Sequence, residues 1–262
     1  MKRFAWMAAA LLLWSAHALA QASPEVVELP TRPGVTVRML VLQPAAVDSV
    51  AVLLSGGAGQ LGIMANGSLR NEGNFLVRSR QSFVQRGHAV VLLDVPSDRE
   101  SLRGGFRDSA EHAADLGAAV AWARQRFGKP VWVIGTSRGT HSAANAAVTL
   151  SGASAPDGIV LSATVLARGR MGQEPRPVQE MDLASVRQPV LVVHHEQDPC
   201  GVCPPGLLPD LMKKLPAGRS QLITYTGGRS EGPACEAFSH HGFNGIEERV
   251  VGDISAWIAA RR

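Results

Sequence analysis

The sequence lacks several features that would indicate a special class of protein. Its 262 residues contain no repeat of fixed period and no low-complexity segment, which excludes solenoid and largely disordered chains. The formal net charge is only +4 and the arginines are scattered rather than aligned in a stripe, so we expect no nucleic-acid partner. With 45% hydrophobic and 18% charged residues, the chain can bury one sizeable core.

A long apolar run is also missing after the N-terminal segment, and that segment has the pattern of a secretory signal peptide. Two basic residues precede the apolar stretch 4–14, and Ala18 and Ala20 occupy the small positions of an Ala-x-Ala cleavage site. The apolar stretch is too short to span a membrane comfortably. We therefore expect removal of residues 1–20, a single domain over 21–262 in the periplasm or outside the cell, and no stable membrane insertion after cleavage.

Cysteine is scarce, with only Cys200, Cys203 and Cys235 in the whole chain. All three lie beyond the expected cleavage site, and an oxidising compartment favours disulfide formation. Because the number is odd, we expect one disulfide and one remaining thiol.

Alternating strand and helix patterns predict the fold class. Apolar runs typical of strands covered on both faces occur at 35–44, 49–57, 87–98, 130–135, 157–163, 189–195 and 220–228. Helical periodicity covers 109–127 and 244–260, with Asn244 as the expected N-cap of the last helix. We predict an α/β fold with a mostly parallel central sheet, helices on both faces, and an antiparallel edge formed by the strands before Gly56.

One predicted strand runs directly into the segment Gly-Thr-Ser-Arg-Gly at 135–139. A Gly-x-Ser-x-Gly pattern alone is weak, because short glycine-serine turns are common. Here the pattern follows a buried strand and opens a run of small residues, as a sharp strand-to-helix turn requires. Sites in such sheets form at the carboxyl ends of strands. Ser137, at the tip of the turn, is therefore the candidate nucleophile.

An activated serine needs a general base and a group that orients the base. Asp198 follows the strand that ends near residue 195, and His240 and His241 lie in a loop before the last helix. The chain order is thus Ser, Asp, His, with each member expected at a strand end. We take Asp198 as the acid and His241, which directly precedes Gly242, as the base. Glu196 and His240 stay open as alternatives.

These segments resemble the α/β-hydrolase superfamily. The resemblance runs from about Val35 to the C-terminus and is strongest at "GTSRG", with the acid-bearing turn "VLVVHHEQDPCGVCP" and the loop "HGF" as further matches. His195 stands where the family more often has glycine, and it and His194 are expected to be packing or rim residues. The small size is similar to dienelactone-hydrolase-like and small esterase members. The resemblance implies a serine hydrolase that transfers acyl groups from small carboxylic esters and needs no cofactor.

The resemblance also implies an oxyanion hole, a set of N–H donors for the charged oxygen of the reaction intermediate. The family's oxyanion loop follows a central strand, where this chain has Ser-Gly-Gly-Ala-Gly at 55–59. One donor is expected to be the backbone N–H of Gly57 or Ala58, and the other that of Arg138, the residue after the nucleophile. A tight turn without an electrostatic role is the alternative for this loop.

Other functions and substrates remain open. The three cysteines and His241 would make a Cys3His set that zinc accepts, although we expect no metal. A hydrolase fold can also serve as a non-catalytic binding protein. The segment 166–183, where the family often places a lid, is short and polar, so we expect an open pocket. Thioesters and amides stay open beside small carboxylic esters.

The expected triad also indicates which cysteines pair. If Asp198 and His241 meet, their two loops must approach each other, and Cys200 and Cys235 then lie on neighbouring loops. We predict a Cys200–Cys235 disulfide that braces the base against its acid. Cys203 is the competitor for either partner, because spacing alone does not determine connectivity.

Overall fold

The apolar runs form one sheet, with one further strand at its edge. The computed structural model describes residues 23–169 and 176–261, so the predicted signal peptide at 1–20 and part of the 166–183 segment lie outside the described residues. The strands of the described part follow the order β1-β2-β4-β3-β5-β6-β7-β8. They are β1 (Glu25–Arg32), β2 (Val35–Leu42), β3 (Ser49–Leu54), β4 (His88–Pro96), β5 (Val131–Thr136), β6 (Gly158–Ser162), β7 (Val190–His195) and β8 (Ser220–Tyr225).

Helices cover both faces of the sheet. The α-helices in the described residues are α1 (Phe75–Arg78), α2 (Arg80–Gln85), α3 (Ala110–Phe127), α4 (Gly139–Thr149), α5 (Leu208–Lys214) and α6 (Glu247–Ala259), and short 3-10 helices occur in the connections. Apolar residues of α3, α4 and α5 join one hydrophobic cluster, and those of α1, α2 and α6 join a second. The predicted three-layer α/β arrangement is therefore confirmed. No helix in this part of the chain combines the length and hydropathy that a membrane span requires.

The predicted antiparallel edge is confirmed and consists of β1 and β2. β1 pairs antiparallel with β2, which pairs antiparallel with β4. The sequence had grouped β3 with this edge, but β3 lies inside the sheet and pairs in parallel with β4 and β5. Its side chains alternate between the two hydrophobic clusters, with Val50 and Val52 in one and Ala51 and Leu53 in the other. Burial on both faces explains why β3 belongs in the interior.

The last helix begins later than its sequence predicts. Asn244 does not cap it: α6 starts at Glu247, with Ile246 in the cap position and no side-chain cap bond. The chain first passes through left-handed backbone at Phe243 (φ 57°) and Gly245 (φ 84°), which delays helix formation. The Asn244 side chain instead donates to the carbonyl of Phe238 at 2.8 Å. Asn244 therefore braces the loop that carries the candidate histidine.

Candidate active site

Ser137 occupies the sharp turn between β5 and α4. Its φ is 53°, a left-handed conformation that is costly for a residue other than glycine. Two contacts hold it there: its N–H donates to the Ser162 carbonyl at 2.9 Å, and its carbonyl accepts from Thr140 Oγ1 at 2.6 Å. The side chain is half-buried at the carboxyl end of β5. This is the geometry of a nucleophile elbow, which exposes a serine hydroxyl above a sheet.

The glycines around Ser137 are required by close packing of the backbone. A β-carbon at Gly135 would lie 2.2 Å from the Gly139 carbonyl oxygen, and one at Gly139 would lie 2.2 Å from the Leu54 oxygen. A β-carbon at Gly56 would lie 2.8 Å from Ser137 Cβ. Real β-carbons do not approach other atoms so closely, so side chains at these positions would displace the candidate nucleophile. Gly56, which the sequence reasoning did not single out, thus packs directly against Ser137.

Asp198 and His241 meet in the protein interior. His241 Nδ1 lies 2.8 Å from Asp198 Oδ2, and both side chains are almost completely buried. A carboxylate only accepts, so Nδ1 carries the hydrogen and Nε2 keeps its lone pair. Nε2 has no hydrogen-bond partner among the residues described. This tautomer is the one a general base for a serine hydroxyl requires.

The Asp198 carboxylate is stabilised in its ionised form. Burial by itself raises its pKa, but hydrogen bonds from His194, His241 and the Cys200 backbone lower the pKa to about 2. The His194 bond was missed by the sequence reasoning, which placed that residue in the packing or at the rim. A histidine four positions before the acid was the available signal, but strand periodicity does not reveal which ring atoms face a neighbouring loop.

Glu196 and His240, the alternatives for the acid and the base, contact other residues. The Glu196 carboxylate accepts from Thr224 Oγ1 at 2.7 Å and is exposed. The His240 ring stacks on His195, with ring centroids 4.1 Å apart. By contrast, His241 borders the same cavity as Ser137. The geometry therefore favours Asp198 and His241 over Glu196 and His240.

The segment 55–59 after β3, called the glycine loop below, borders this cavity as well. Gly57, in left-handed backbone with φ 57°, and Ala58 both line it. Within residues 23–169 and 176–261, neither of their N–H groups donates to a backbone carbonyl. Both are thus available to an oxyanion, and the geometry does not favour one over the other. Arg138 N–H, the second expected donor, lies at the start of α4 beside Ser137.

A buried arginine supports the glycine loop from behind. Arg107 donates from Nη2 to the carbonyl of Ser55 at 3.0 Å and from Nη1 to Ser142 Oγ at 2.8 Å. Burial, with a smaller contribution from the Arg138 charge, lowers the pKa of Arg107 to about 9, so the guanidinium stays charged at neutral pH. Arg107 was not predictable from the sequence, because a single arginine in a short 3-10 helix has no recognisable pattern.

The cavity has a volume of about 650 Å³ and a mixed lining. Its wall carries polar and charged side chains as well as apolar ones, among them Gln60, Arg70, Glu72, Arg103, Glu236, Leu61, Phe75 and Phe238. Phe238 is half exposed at the border. Such a cavity suits a small ligand with both polar and apolar parts.

Cys200 and Cys235 form a disulfide, and Cys203 is a free, buried thiol. The bond joins the loop of Asp198 to the loop of His241. Cys200, Cys203 and His241 place possible ligand atoms within 4.8 Å of one another, which matches part of the Cys3His alternative. However, a disulfide sulfur is not a thiolate ligand, and His241 Nδ1 already bonds Asp198. These donors therefore do not fit zinc while the disulfide is intact.

A second serine–histidine contact lies at the amino-terminal ends of two central strands. Ser49 Oγ and His88 Nδ1 are 2.8 Å apart, and both residues are fully buried. They begin the parallel strands β3 and β4, where they pair in register. The ligand sites of such sheets lie at the carboxyl ends instead. We interpret Ser49 and His88 as a buried structural pair.

The fold matches solved structures of hydrolases, although sequence comparison alone finds no relative. No protein-family model matches the chain, and no curated protein matches it either. An esterase of Pyrococcus furiosus is 14% identical, over 96% of this chain and 97% of its own, with a TM-score of 0.64. Dienelactone hydrolase from Anabaena variabilis is 15% identical, over 91% and 99%, with a TM-score of 0.61. An α/β serine hydrolase without a lid from Xanthomonas campestris is 17% identical, over 94% and 96%, with a TM-score of 0.58.

These similarities establish the architecture. The chain has the α/β-hydrolase fold, as its sequence motifs implied. Because a fold supports many functions, the activity has to be argued from the site itself.

Proposed function

We propose that this protein is an exported serine hydrolase that cleaves small carboxylic esters. The catalytic residues are Ser137, Asp198 and His241. The observation that carries the proposal is the buried 2.8 Å bond between His241 Nδ1 and Asp198 Oδ2, because His241 also borders the cavity in which Ser137 lies on a left-handed turn. A packing role alone would not require that a strained serine and an imidazole paired with a buried carboxylate border the same cavity.

The reaction follows from the tautomer and the surrounding donors. Ser137 Oγ attacks the ester carbonyl carbon while His241 Nε2 takes the hydroxyl proton, and Asp198 stabilises the resulting imidazolium. The carbonyl oxygen becomes an oxyanion that binds the N–H groups of Arg138 and of Gly57 or Ala58. His241 then returns the proton to the departing alcohol. Water, activated by the same nitrogen, releases the acid from the acyl-serine.

The substrate class is supported by the cavity and by the similar structures. Polar and charged side chains interrupt the apolar lining, which favours short acyl groups over long lipid chains. Several structures of the same fold are described as esterases. Carboxylic esters are therefore the class to test first, with thioesters next.

Export is supported by the signal-peptide pattern at residues 1–20 and by a disulfide between two loops of the site. Fractionation of cells that express the full chain tests it. We expect the processed form, beginning at Gln21, in the periplasm or the medium, and an unprocessed protein in the cytosol would contradict the proposal.

A Ser137→Ala variant tests the catalytic proposal. Removal of a triad nucleophile lowers turnover by about a million-fold, so p-nitrophenyl acetate hydrolysis should fall to background. Circular dichroism and thermal unfolding should remain close to those of the wild type, because alanine keeps the β-carbon and the same left-handed backbone at residue 137. Ester hydrolysis near the wild-type rate would refute the proposal.

A fluorophosphonate probe separates this function from the non-catalytic alternative. The wild-type protein should be labelled covalently at Ser137, and Ser137→Ala should not be. A binding protein on the same fold would remain unlabelled in both forms. A panel of p-nitrophenyl esters of increasing acyl length then defines the pocket, with the highest kcat/KM expected for short chains.

A further inference from the structure

We propose that His194 is a positioning residue that holds the Asp198 carboxylate in line with His241. This inference rests on the proposed function and adds a residue that the triad does not include. His194 is the second-last residue of β7, and its side chain is fully buried. It therefore meets no substrate and acts only through its neighbours.

The hydrogen bonds of His194 determine which of its nitrogens carries hydrogen. Nε2 lies 3.0 Å from the carbonyl oxygen of Cys203 and 3.4 Å from Asp198 Oδ2. Both partners can only accept, so Nε2 carries the hydrogen: it donates to the Cys203 carbonyl and lies in electrostatic contact with Asp198 Oδ2. Nδ1 has no partner among the residues that the structure describes. One N–H group thus connects the end of β7 with Asp198 and Cys203, both in the loop that follows β7 (the acid loop).

Asp198 is consequently held at both oxygens. Oδ2 lies 2.8 Å from His241 Nδ1 and 3.4 Å from His194 Nε2, and Oδ1 accepts from the Cys200 backbone at 2.9 Å. Rotation of the carboxylate would break all three contacts at once. Without His194, the carbonyl of Cys203 and one side of Oδ2 lose their donor, which leaves the acid loop free to shift. A displacement of about 1 Å in an active site can lower the rate about 100-fold.

His194 also moderates the charge that Asp198 presents to His241. The titratable groups in the described residues that act on Asp198 or are acted on by it are His194, His195, His241 and the Cys203 thiol. A carboxylate that loses one N–H donor attracts the proton of the remaining imidazole more strongly. The low-pH limb of the kcat/KM profile should therefore move toward higher pH when His194 is replaced, which a purely structural role would not cause.

Two variants at this position separate hydrogen bonding from packing. His194→Leu keeps an apolar volume but has no donor, whereas His194→Gln can place an amide N–H near the position of Nε2. The matched control is His88→Leu, which removes an equally buried imidazole from the amino-terminal end of β4, away from the site. If His194→Leu does not fold, His194→Asn replaces it, because its shorter amide does not reach Asp198 Oδ2.

Hydrolysis of p-nitrophenyl acetate is measured for all variants between pH 5 and 9. We expect kcat to fall about 10- to 100-fold in His194→Leu with KM within about twofold, in line with a misplaced catalytic group. His194→Gln should recover most of this loss, and His88→Leu should retain wild-type kcat. Unchanged kcat and an unmoved low-pH limb in His194→Leu would overturn the inference, as would a His194→Gln variant no better than His194→Leu.

Fluorophosphonate labelling distinguishes failure of this inference from failure of the proposed function. The wild type should react at Ser137, and His194→Leu should react more slowly by the same factor as its kcat. A wild-type protein that does not react overturns the proposed function and this inference with it. A wild type that reacts, together with His194→Leu reacting equally fast, overturns only the role of His194.

Discussion

Removal of the disulfide should lower stability strongly and catalysis only slightly. We choose Cys235→Ser because Cys235 is exposed, whereas Cys200 is buried and packs with Val165 and Cys203. The substitution therefore removes the cross-link without opening a cavity. Its main effect is on the unfolded chain, which regains the freedom that the bond between the two loops had restricted.

The magnitude follows from the length of the closed loop. The bonded cysteines are 35 residues apart, and in the chain-entropy model a loop of this length stabilises the folded state by about 4 kcal/mol. For a domain of this size, 1 kcal/mol corresponds to a change in Tm of about 2–4 °C, so Tm should fall by about 8–16 °C. The bonds of Asp198 to His241 and to the Cys200 N–H do not pass through sulfur. We therefore expect kcat at low temperature to change by less than about tenfold.

Scanning calorimetry of the oxidised protein, the reduced protein and Cys235→Ser measures this prediction. The reduced wild type should match Cys235→Ser. The control is Cys203→Ala, which removes a buried thiol that is not cross-linked and should cost only about 1–2 kcal/mol. A Tm decrease below about 3 °C in Cys235→Ser would refute the reasoning. It would mean that residual structure already restricts the two loops in the unfolded chain, so that the disulfide adds little further restriction.

Three further predictions follow from the site. Gly56→Ala should lower kcat about 100-fold, because the new β-carbon would displace Ser137, and an ester hydrolysis rate near that of the wild type would contradict this. His241→Ala should lower kcat at least about 10⁴-fold and His240→Ala less than tenfold, and the reverse order would reassign the base. Burial, with the charges of nearby arginines, lowers the pKa of His112 from 6.5 to about 3. Below pH 6.5 the unfolded chain therefore binds a proton at His112 that the folded protein does not, so the free energy of unfolding decreases as the pH falls from 6.5 toward 3. Urea unfolding of His112→Gln should show about 3 kcal/mol less loss of stability between pH 7 and 4.5 than the wild type, and an identical pH dependence would exclude this role.

The sequence revealed those parts of the site that have a local pattern. The turn at Ser137 is defined by residues adjacent in the chain, because strand, glycines and small helix residues must follow one another directly. The acid and histidine loops were recognisable for the same reason, since each follows or precedes an element with clear periodicity. Gly56 belongs to the recognisable segment 55–59, but its packing against Ser137 was not predictable, because that contact joins the ends of the neighbouring strands β3 and β5.

Buried polar residues were the main source of error. His194 lies in an apolar strand and looks like a packing residue, yet its Nε2 reaches the acid loop. Arg107 lies in a short 3-10 helix between β4 and α3 and looks like a surface charge, yet it is buried behind the glycine loop. In both cases the side chain faces a segment distant in sequence. Periodicity indicates which face of an element is buried, but it does not indicate which polar atom of the neighbouring segment contacts that face.

The sequence by itself determined the α/β architecture, because alternating apolar runs and helical stripes can be buried together in few other ways. It also determined the elbow, where Gly135 is required by crowding against Gly139 within the same turn. Only the tertiary structure decided that β3 lies inside the sheet, that Asn244 braces a loop rather than capping α6, and that His241 rather than His240 contacts Asp198. The physical reason is that each of these depends on distances between segments far apart in the chain, which the packing of the whole sheet and its helices sets.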